Sequence, residues 1–327
     1  MSNVSTHNVI TLFEYSDIGP RQQAGSEWNA TDGVGETALA MAVARWREAD
    51  APQPLFADPF AVLFVIAACD SGWRPAILTR SAEDLRAVDP VLSERIQALH
   101  DYAACRTRFF DEFFERAISD GVRQVVVLGA GLDARAWRLG WAPGCVFFDV
   151  DRPKVLDFKV SAVWAANAEP ACEYRTVAVG LRSDWPTALR GAGFDPRLST
   201  AWSVEGCLAY VPGAGQDRLF ELIDGLSAPG SVVAAESASS FDPHPSWRRR
   251  RIRETREAAA AVGDTFLRDV RSLWFDRRRS YLANWLRARG WRTTVSEAEE
   301  LMAGYGRAPG PDALGVAPLS AFVQGRR

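Results

Sequence analysis

Short apolar runs alternate with longer amphipathic segments from residue 122 to the end of the chain. Runs of strand type fall at residues 123–128, 146–150, 174–179, 201–205, 231–236, 291–295 and 321–324. Segments of helical periodicity lie between them, at residues 153–166, 185–192, 215–226, 246–261 and 280–289. This alternation predicts an α/β fold with a doubly wound, mostly parallel sheet of seven strands.

The first third of the chain has helical periodicity alone, at residues 37–48, 59–68 and 93–120. It predicts a helical cap over residues 1–121 that forms one domain with an α/β core over residues 122–327. A helical insertion at about residues 243–279 interrupts the alternation after the fifth strand. Its arginine run, residues 248–251, is more typical of a charged helix face than of a substrate clamp.

Charge and hydropathy limit the partners of this chain. Its formal net charge of -3 lacks the basic excess that sequence-independent binding to nucleic acid requires, so we expect no nucleic acid substrate. There is no apolar stretch of membrane-spanning length and no signal-peptide pattern at the first residues, so we expect neither export nor membrane insertion.

Cysteine and histidine usage point to a reducing compartment and to a site without metal. The five cysteines form no CxxC pair and are odd in number, which argues against a disulfide framework and favours the cytoplasm. The three histidines are scattered, so we expect no metal site.

A glycine turn follows the first predicted strand of the core. Gly129, Ala130 and Gly131 lie between that strand and the next helix, where the carboxyl edge of a parallel sheet binds nucleotide-like cofactors. Asp151 lies twenty residues after Gly131 and ends the second strand, where a carboxylate can accept hydrogen bonds from ribose hydroxyls. Together they predict a cofactor site.

Two cofactors fit this spacing. The turn also matches a loose GxGxxA fingerprint, so an NAD-dependent oxidoreductase is one alternative. Asp133 argues against it, because a carboxylate in the first helical turn repels a pyrophosphate. The ammonium of a methionine moiety meets no such repulsion, which favours S-adenosyl-L-methionine. Arg135 and Arg138 follow closely, so the residues alone leave both cofactors open.

A series of short motifs extends along most of the chain, at residues 33–39, 58–60, 106–111, 124–133, 149–153, 184–186, 201–206 with Tyr210, 228–231 and 305–307. In this order they resemble the leucine carboxyl methyltransferase-like family of class I S-adenosylmethionine-dependent methyltransferases. The resemblance implies a Rossmann-like fold, S-adenosyl-L-methionine as cofactor, and S-adenosyl-L-homocysteine as its product. It also implies an oxygen acceptor on a small molecule or peptide.

The resemblance also assigns roles to single residues. It implies that Gly129 and Gly131 form the cofactor loop, that Asp151 binds the ribose, and that Glu205 faces the cofactor. Arg106 matches the family arginine near the methionine carboxylate.

This chain departs from the family pattern at two places. Asp149 stands where the family usually has glutamate, and we carry it over as a cofactor contact. Gly180 and Leu181 stand where the family usually has Asp-Leu, and that aspartate ordinarily accepts from the adenine amino group. Only the backbone of Gly180 and Leu181 is then left to contact adenine.

Arg106 can also be judged without the family. It interrupts an apolar helix face formed by Leu99, Tyr102, Ala103, Phe109, Phe110 and Phe113. A buried guanidinium needs an anionic partner, either a protein carboxylate or a ligand carboxylate, and we favour the ligand. Arg108, by contrast, shares a polar face with Glu112 and Glu115 and is expected to be a surface residue.

Other residues are open to two interpretations. Glu205 ends an apolar strand at the carboxyl edge, where it either serves the site or caps the next turn. Tyr210 can present its hydroxyl to the acceptor or pack under the cap. Trp247 and Phe275 either line the acceptor pocket or belong to the core.

The expected chemistry is direct in-line methyl transfer without a covalent enzyme intermediate. A carboxylate acceptor is ionised at neutral pH and needs no base. A hydroxyl acceptor needs one, and Tyr210 or His244 would be the candidates. A cofactor-binding regulatory protein without catalysis is a further alternative, because fold does not establish activity.

Overall fold

The computed structural model describes residues 34–73, 82–238, 245–262 and 279–327. These residues form a seven-stranded sheet with strands β1 (Gln124–Leu128), β2 (Val146–Asp151), β3 (Glu173–Ala178), β4 (Thr200–Val204), β5 (Val232–Ala238), β6 (Arg292–Glu297) and β7 (Ser320–Arg326). All seven predicted strands are confirmed, with ends that differ by at most two residues. The period of the apolar pattern was therefore sufficient to locate them.

The strand order is β3-β2-β1-β4-β5-β7-β6. The first five strands are parallel, and β7 runs antiparallel to β5 and β6. The chain passes from β1 to β2 on one side and returns to β4 on the other side of β1. Such a reversal leaves a crevice at the carboxyl end of β1, where doubly wound sheets bind ligands.

Eleven α-helices surround the sheet in the described residues: α1 (Val34–Glu48), α2 (Ala61–Asp70), α3 (Ala82–Val88), α4 (Pro90–Ser119), α5 (Arg135–Arg138), α6 (Pro153–Ala165), α7 (Trp185–Gly191), α8 (Gly213–Leu226), α9 (Pro245–Ala261), α10 (Leu282–Arg287) and α11 (Ala298–Gly304). The eight predicted helices are among them. The three that were not predicted, α3, α5 and α11, have only seven, four and seven residues. Such short helices hardly show a periodic pattern.

Both faces of the sheet are covered by helices, as the residues of β1 illustrate. Val125 and Val127 pack into a cluster with the cap helices, whereas Val126 and Leu128 pack on the opposite face with α7 and α8. A strand covered on both faces reads as a continuous apolar run rather than an alternating one. The long helix α4 begins at a proline after Asp89, whose side chain accepts a hydrogen bond from the backbone N–H of Leu92 at 2.9 Å.

The helices have no membrane-spanning character: none in the described parts of the chain combines the length and the apolar content needed to cross a bilayer. In the same parts, His, Cys, Asp and Glu side chains form no group of three or more that could hold a metal ion.

Candidate cofactor and active site

The glycine turn after β1 requires glycine on conformational and steric grounds. Gly129 has φ +71° and Gly131 has φ +49°, the left-handed region that side chains disfavour. A Cβ atom on Gly129 would also lie 3.0 Å from the Cβ of Cys207. The Gly129 N–H donates to the carbonyl of Val150 at 2.9 Å, which holds the turn against β2. The turn therefore keeps its backbone free of side chains at the mouth of the crevice.

Asp151 lies at the end of β2 directly beside this turn. Its Oδ2 accepts from the backbone N–H of Gly131 at 2.8 Å, and its Oδ1 accepts from the N–H of Arg152 at 2.7 Å. A carboxylate offers about four acceptor positions, so each oxygen keeps one for another donor. The predicted ribose acid is thus oriented by two backbone donors and is still able to bind a pair of hydroxyls.

Glu205 joins two arginines, Arg106 and Arg135. It follows β4, and its Oε1 accepts from Nε of Arg106 on α4 at 2.9 Å. Its Oε2 accepts from Nη1 of Arg135 at 2.8 Å. Gly206 follows with φ +65°, and a Cβ there would approach the Arg106 guanidinium to 3.2 Å. The glycine therefore allows Arg106 to reach Glu205.

Arg106 makes a second contact, with Glu236 on β5, at 3.3 Å from Nη1 to Oε2. The Arg106 side chain is only 12% exposed. Its guanidinium has the anionic partners that burial requires, and both are protein carboxylates, Glu205 and Glu236. Among the described residues, Nη2 of Arg106 has no hydrogen-bond partner. That nitrogen is the part of Arg106 left for a ligand carboxylate.

These contacts belong to a longer chain of alternating charges. Nine charged side chains connect α1 to β5 through ion pairs, in the order Arg45, Asp58, Arg138, Asp111, Arg135 (which also binds Asp133), Glu205, Arg106 and Glu236. We call this set the charge ladder. It holds the cap helices, the segment after β1 and the ends of β4 and β5 together, and four of its members, Arg45, Asp58, Asp111 and Arg135, are buried.

The charge ladder has one negative charge in excess among the described residues, because four arginines face five carboxylates. Burial alone would raise the pKa of Asp133, but the cations of Arg135 and Lys159 outweigh it and hold that pKa below its usual value. The Glu205 and Glu236 side chains are the most exposed carboxylates of the ladder, at 14% and 11%. The excess charge therefore favours a cationic group in the crevice.

Glu236 was not predicted as a site residue. The Tyr102 hydroxyl donates to Glu236 Oε1, and the Ser320 hydroxyl donates to the same oxygen at 2.9 Å. Desolvation and the neighbouring Glu236 carboxylate raise the pKa of Tyr102 well above its ordinary value, so its phenol stays protonated. The sequence signal that could have identified Glu236 is an acid inside the apolar strand β5, which lies next to β4, the strand followed by Glu205.

Asp149 has a different role from the predicted one. Its Oδ2 binds Nζ of Lys159 on α6 at 2.5 Å and the Tyr174 hydroxyl at 2.7 Å, and the Asp149 and Lys159 side chains are both fully buried. Burial raises the pKa of Asp149, against the opposing effect of Lys159. The structure therefore corrects the prediction of a cofactor contact: helix α6 covers this carboxylate, and it forms an internal ion pair instead.

Gly180 and Leu181 lie two and three residues beyond the end of β3. A Cβ on Gly180 would have Cγ of Arg152 as its nearest neighbour, at 3.8 Å, which is ordinary contact. The Leu181 side chain points toward the glycine turn, with Cδ1 at 3.6 Å from the Cβ position of Gly129. Leu181 thus lies near the predicted cofactor loop, whereas Gly180 leaves an open position beside Arg152.

Tyr210 ends the 3-10 turn Leu208–Tyr210 after β4, and its hydroxyl donates to Oγ1 of Thr37 on α1 at 3.2 Å. Arg279 donates to the carbonyl of Leu208 at 2.7 Å and anchors the same turn. Tyr210 therefore packs under the cap, and its hydroxyl lies against the cap helix α1. His244 lies outside the described residues.

The described part of the helical insertion, residues 245–262, anchors the insertion to neighbouring segments. Arg248 is buried and donates to the carbonyl of Ala317 at 2.9 Å and to Glu299 at 3.0 Å, whereas Arg250 is exposed. Trp247 is 40% exposed at the surface, with the Arg251 guanidinium 5.4 Å from its ring centroid. Phe275 lies outside the described residues.

The surface expectation for Arg108 is confirmed. Its side chain pairs with Glu112 at 3.0 Å and with Glu115 at 3.5 Å on the polar face of α4. It belongs to the same helix as Arg106 but not to the charge ladder.

Comparison with known proteins identifies the family of this chain. The model of the leucine carboxyl methyltransferase family matches residues 38–224, more than half of the chain. A protein assigned as an S-adenosyl-L-methionine-dependent methyltransferase from Mycolicibacterium paratuberculosis is 45% identical over 307 residues, which cover 92% of this chain and 96% of that protein. A protein of the same assignment from Mycobacteroides abscessus is 43% identical over 310 residues, which cover 91% and 96%.

The chain is also similar to solved structures. A DUF574 family protein from Streptomyces avermitilis is 13% identical and covers 88% of this chain and 97% of its own, with a TM-score of 0.48. The family model and the close relatives decide the assignment: the chain belongs to the leucine carboxyl methyltransferase family of S-adenosylmethionine-dependent methyltransferases.

Proposed function

We propose that this protein transfers a methyl group from S-adenosyl-L-methionine to an oxygen atom, a carboxylate or a hydroxyl, of a small-molecule or peptide acceptor. The observation that carries the proposal is the charge ladder, whose most exposed carboxylates, Glu205 and Glu236, lie beside Arg106 at the ends of β4 and β5, with a negative charge in excess among the described residues. A cationic cofactor at this place supplies the missing positive charge.

The residues present fit such a cofactor. Asp151 would accept from the ribose hydroxyls, since each of its oxygens keeps a free acceptor position. Glu205 would face the methionine ammonium, and the free Nη2 of Arg106 would bind the methionine carboxylate. Glycine at position 129 lets the turn lie against Cys207 with no side chain between them. When bound, the cofactor supplies an already activated methyl group on its sulfonium.

The chain's own task is then to position an acceptor and to exclude water. A carboxylate acceptor supports this best, because it is ionised at neutral pH and needs no base. Tyr102, the titratable phenol beside Glu236, is held protonated and is a donor rather than a base. We propose that Tyr210 helps to shape the acceptor side of the site by fixing the turn after β4 to the cap, where its hydroxyl donates to Thr37.

The NAD alternative is disfavoured by the same electrostatics. A pyrophosphate in the crevice would add negative charge beside Asp151 and Glu205, and Nη2 would be the one guanidinium nitrogen of Arg106 left to bind it. Like charges at this range are unfavourable in a partly buried site.

Isothermal titration calorimetry with S-adenosyl-L-methionine, S-adenosyl-L-homocysteine and NAD tests the cofactor. We expect both sulfur compounds to bind and NAD not to bind. An acceptor screen with methyl-labelled cofactor, read by mass determination of the product, then tests the reaction. Binding of NAD alone would overturn the proposal, and cofactor binding without label transfer to any carboxylate or hydroxyl library would favour the regulatory alternative.

A further inference from the structure

We propose that Glu236 is a positioning residue of the cofactor site and that it acts through Arg106. Tyr102 and Ser320 fix the Glu236 carboxylate. That carboxylate in turn fixes the guanidinium plane of Arg106, so that Nη2 is presented to the carboxylate of the cofactor's methionine moiety. The inference rests on the proposed function, in which Arg106 binds that carboxylate, and it gives Glu236 a role without direct contact to the cofactor.

The fold brings these four side chains together on the cap side of the sheet. Glu236 shares a face of β5 with Ala234, which packs in the cluster of the cap helices. In the antiparallel pairing of β5 with β7, Ser320 is the diagonal neighbour of Glu236, so both side chains project from this face. Tyr102 comes from α4, one helical turn before Arg106. The carboxylate therefore lies between β7 and the cap helix that carries Arg106.

Two hydroxyl groups occupy one oxygen of the Glu236 carboxylate. Its Oε1 accepts from the Tyr102 hydroxyl and from the Ser320 hydroxyl, the latter at 2.9 Å, and the two hydroxyl oxygens lie 2.8 Å apart. Tyr102 and Ser320 are both buried. A carboxylate oxygen has two acceptor positions, so Oε1 is saturated. Rotation of the carboxylate would break both bonds, and Oε2 therefore stays turned toward Arg106.

The Arg106 guanidinium is held at two of its three nitrogens. Glu205 accepts from Nε at 2.9 Å, and Glu236 accepts from Nη1 at 3.3 Å. With Glu205 alone, the guanidinium plane could turn about the Nε contact. Because the group is planar, a second fixed nitrogen also fixes the direction of the third. Nη2 is thus preorganised, which lowers the entropy cost of binding a carboxylate there.

The electrostatics also connect Glu236 to Arg106. Burial alone would lower the pKa of Arg106, but the carboxylates of Glu236 and then Glu205 outweigh it and raise that pKa above its ordinary value. Removal of the Glu236 charge should therefore loosen Arg106. It should leave the hydrogen bonds between Asp151 and the glycine turn in place, because Glu236 makes no contact there among the described residues.

The test uses two ligands and isothermal titration calorimetry. One is S-adenosyl-L-homocysteine, and the other is its decarboxylated analogue, which keeps the nucleoside and the ammonium. Glu236→Gln should weaken S-adenosyl-L-homocysteine about tenfold and the analogue less than about twofold, because the carboxylate contact alone depends on Arg106. A double variant, Tyr102→Phe with Ser320→Ala, should show the same pattern, since it frees Glu236 and removes no charge. Tyr305→Phe is the control, because its phenol bonds to Glu112 on the polar face of α4.

The outcomes separate this inference from the proposed function. An equal loss of affinity for both ligands in Glu236→Gln would overturn the inference, because a direct contact with the ammonium gives that result. No loss for either ligand would overturn it as well, while the cofactor assignment stands. If Glu236→Gln does not fold, the double variant of Tyr102 and Ser320 decides by the same ratio. If neither ligand binds to the native protein, the proposed function fails, and the inference fails with it.

Discussion

The backbone N–H of Gly131 donates to Oδ2 of Asp151 at 2.8 Å, and this bond joins the glycine turn after β1 to the acid that ends β2. The two parts of the predicted cofactor site are therefore one structural unit. A change in Asp151 would act on the proposed ribose contact and on the turn together.

Asp151→Ala should weaken binding of S-adenosyl-L-homocysteine by about 1–3 kcal/mol, because charge-assisted hydrogen bonds to the ribose are lost. Isothermal titration calorimetry measures the change. Asp157→Ala, an exposed acid on α6, is the matched control and should have no effect. An unchanged dissociation constant in the first variant would show that another acid binds the ribose.

Arg106→Lys keeps the charge of the ladder but loses the planar fork that contacts Glu205 and Glu236. We expect the fold to survive and cofactor affinity to fall about tenfold, since a single ammonium cannot hold both carboxylates and a ligand. Arg108→Lys on the same helix should change neither property. Equal affinities in the two variants would limit Arg106 to a structural ion pair.

Lys159→Met should lower the free energy of unfolding by about 3–5 kcal/mol, because it leaves the buried Asp149 carboxylate without its cation. Urea denaturation measures the loss. Lys154→Met, at an exposed position on the same helix, should change it by no more than about 0.5 kcal/mol. A small loss for Lys159→Met would mean that Asp149 is not held by this pair.

Gly129→Ala should destabilise the protein by about 1–3 kcal/mol, because alanine would adopt φ +71° and meet Cys207 at 3.0 Å. Gly140→Ala is the control, since Gly140 has no atom within 4 Å of its Cβ position and no positive φ. Chemical denaturation of both variants gives the comparison. Equal stability of the two would show that the turn relaxes to accept a side chain.

His100 makes stability depend on pH. Burial, and then the nearby cation of Arg47, lower the pKa of His100 to about 3. Its unfolded pKa is about 6.5, so below that pH the unfolded chain binds a proton that the folded protein does not. The free energy of unfolding should fall by up to about 1.4 kcal/mol per pH unit from this group as the pH drops from 6.5 toward 3.

The measurement for His100 is urea denaturation at several pH values. His100→Gln should flatten the slope below pH 6.5, whatever its effect on stability at neutral pH. A slope that is the same in both proteins would contradict the low pKa.

The strands, the glycine turn and Asp151 could be predicted because they depend on local period and spacing. The partners in the charge ladder could not, because Arg106 and Glu236 are separated by 130 positions, and Arg135 and Glu205 by 70. Asp149 shows a further difficulty. It faces the same side of β2 as Asp151, and only its depth below the end of the strand separates an internal ion pair from a ligand contact.

The charge ladder also couples the unfolding of the cap helices to the unfolding of the sheet. Its members come from the cap helices, from the segment after β1 and from the ends of β4 and β5, so removal of the cap would take away the Arg106 partner of Glu205 and Glu236 and the Asp111 partner of Arg135 and Arg138. A fragment that begins at β1 would therefore keep buried charges that have lost part of their compensation. Heating should melt cap and sheet in a single cooperative transition.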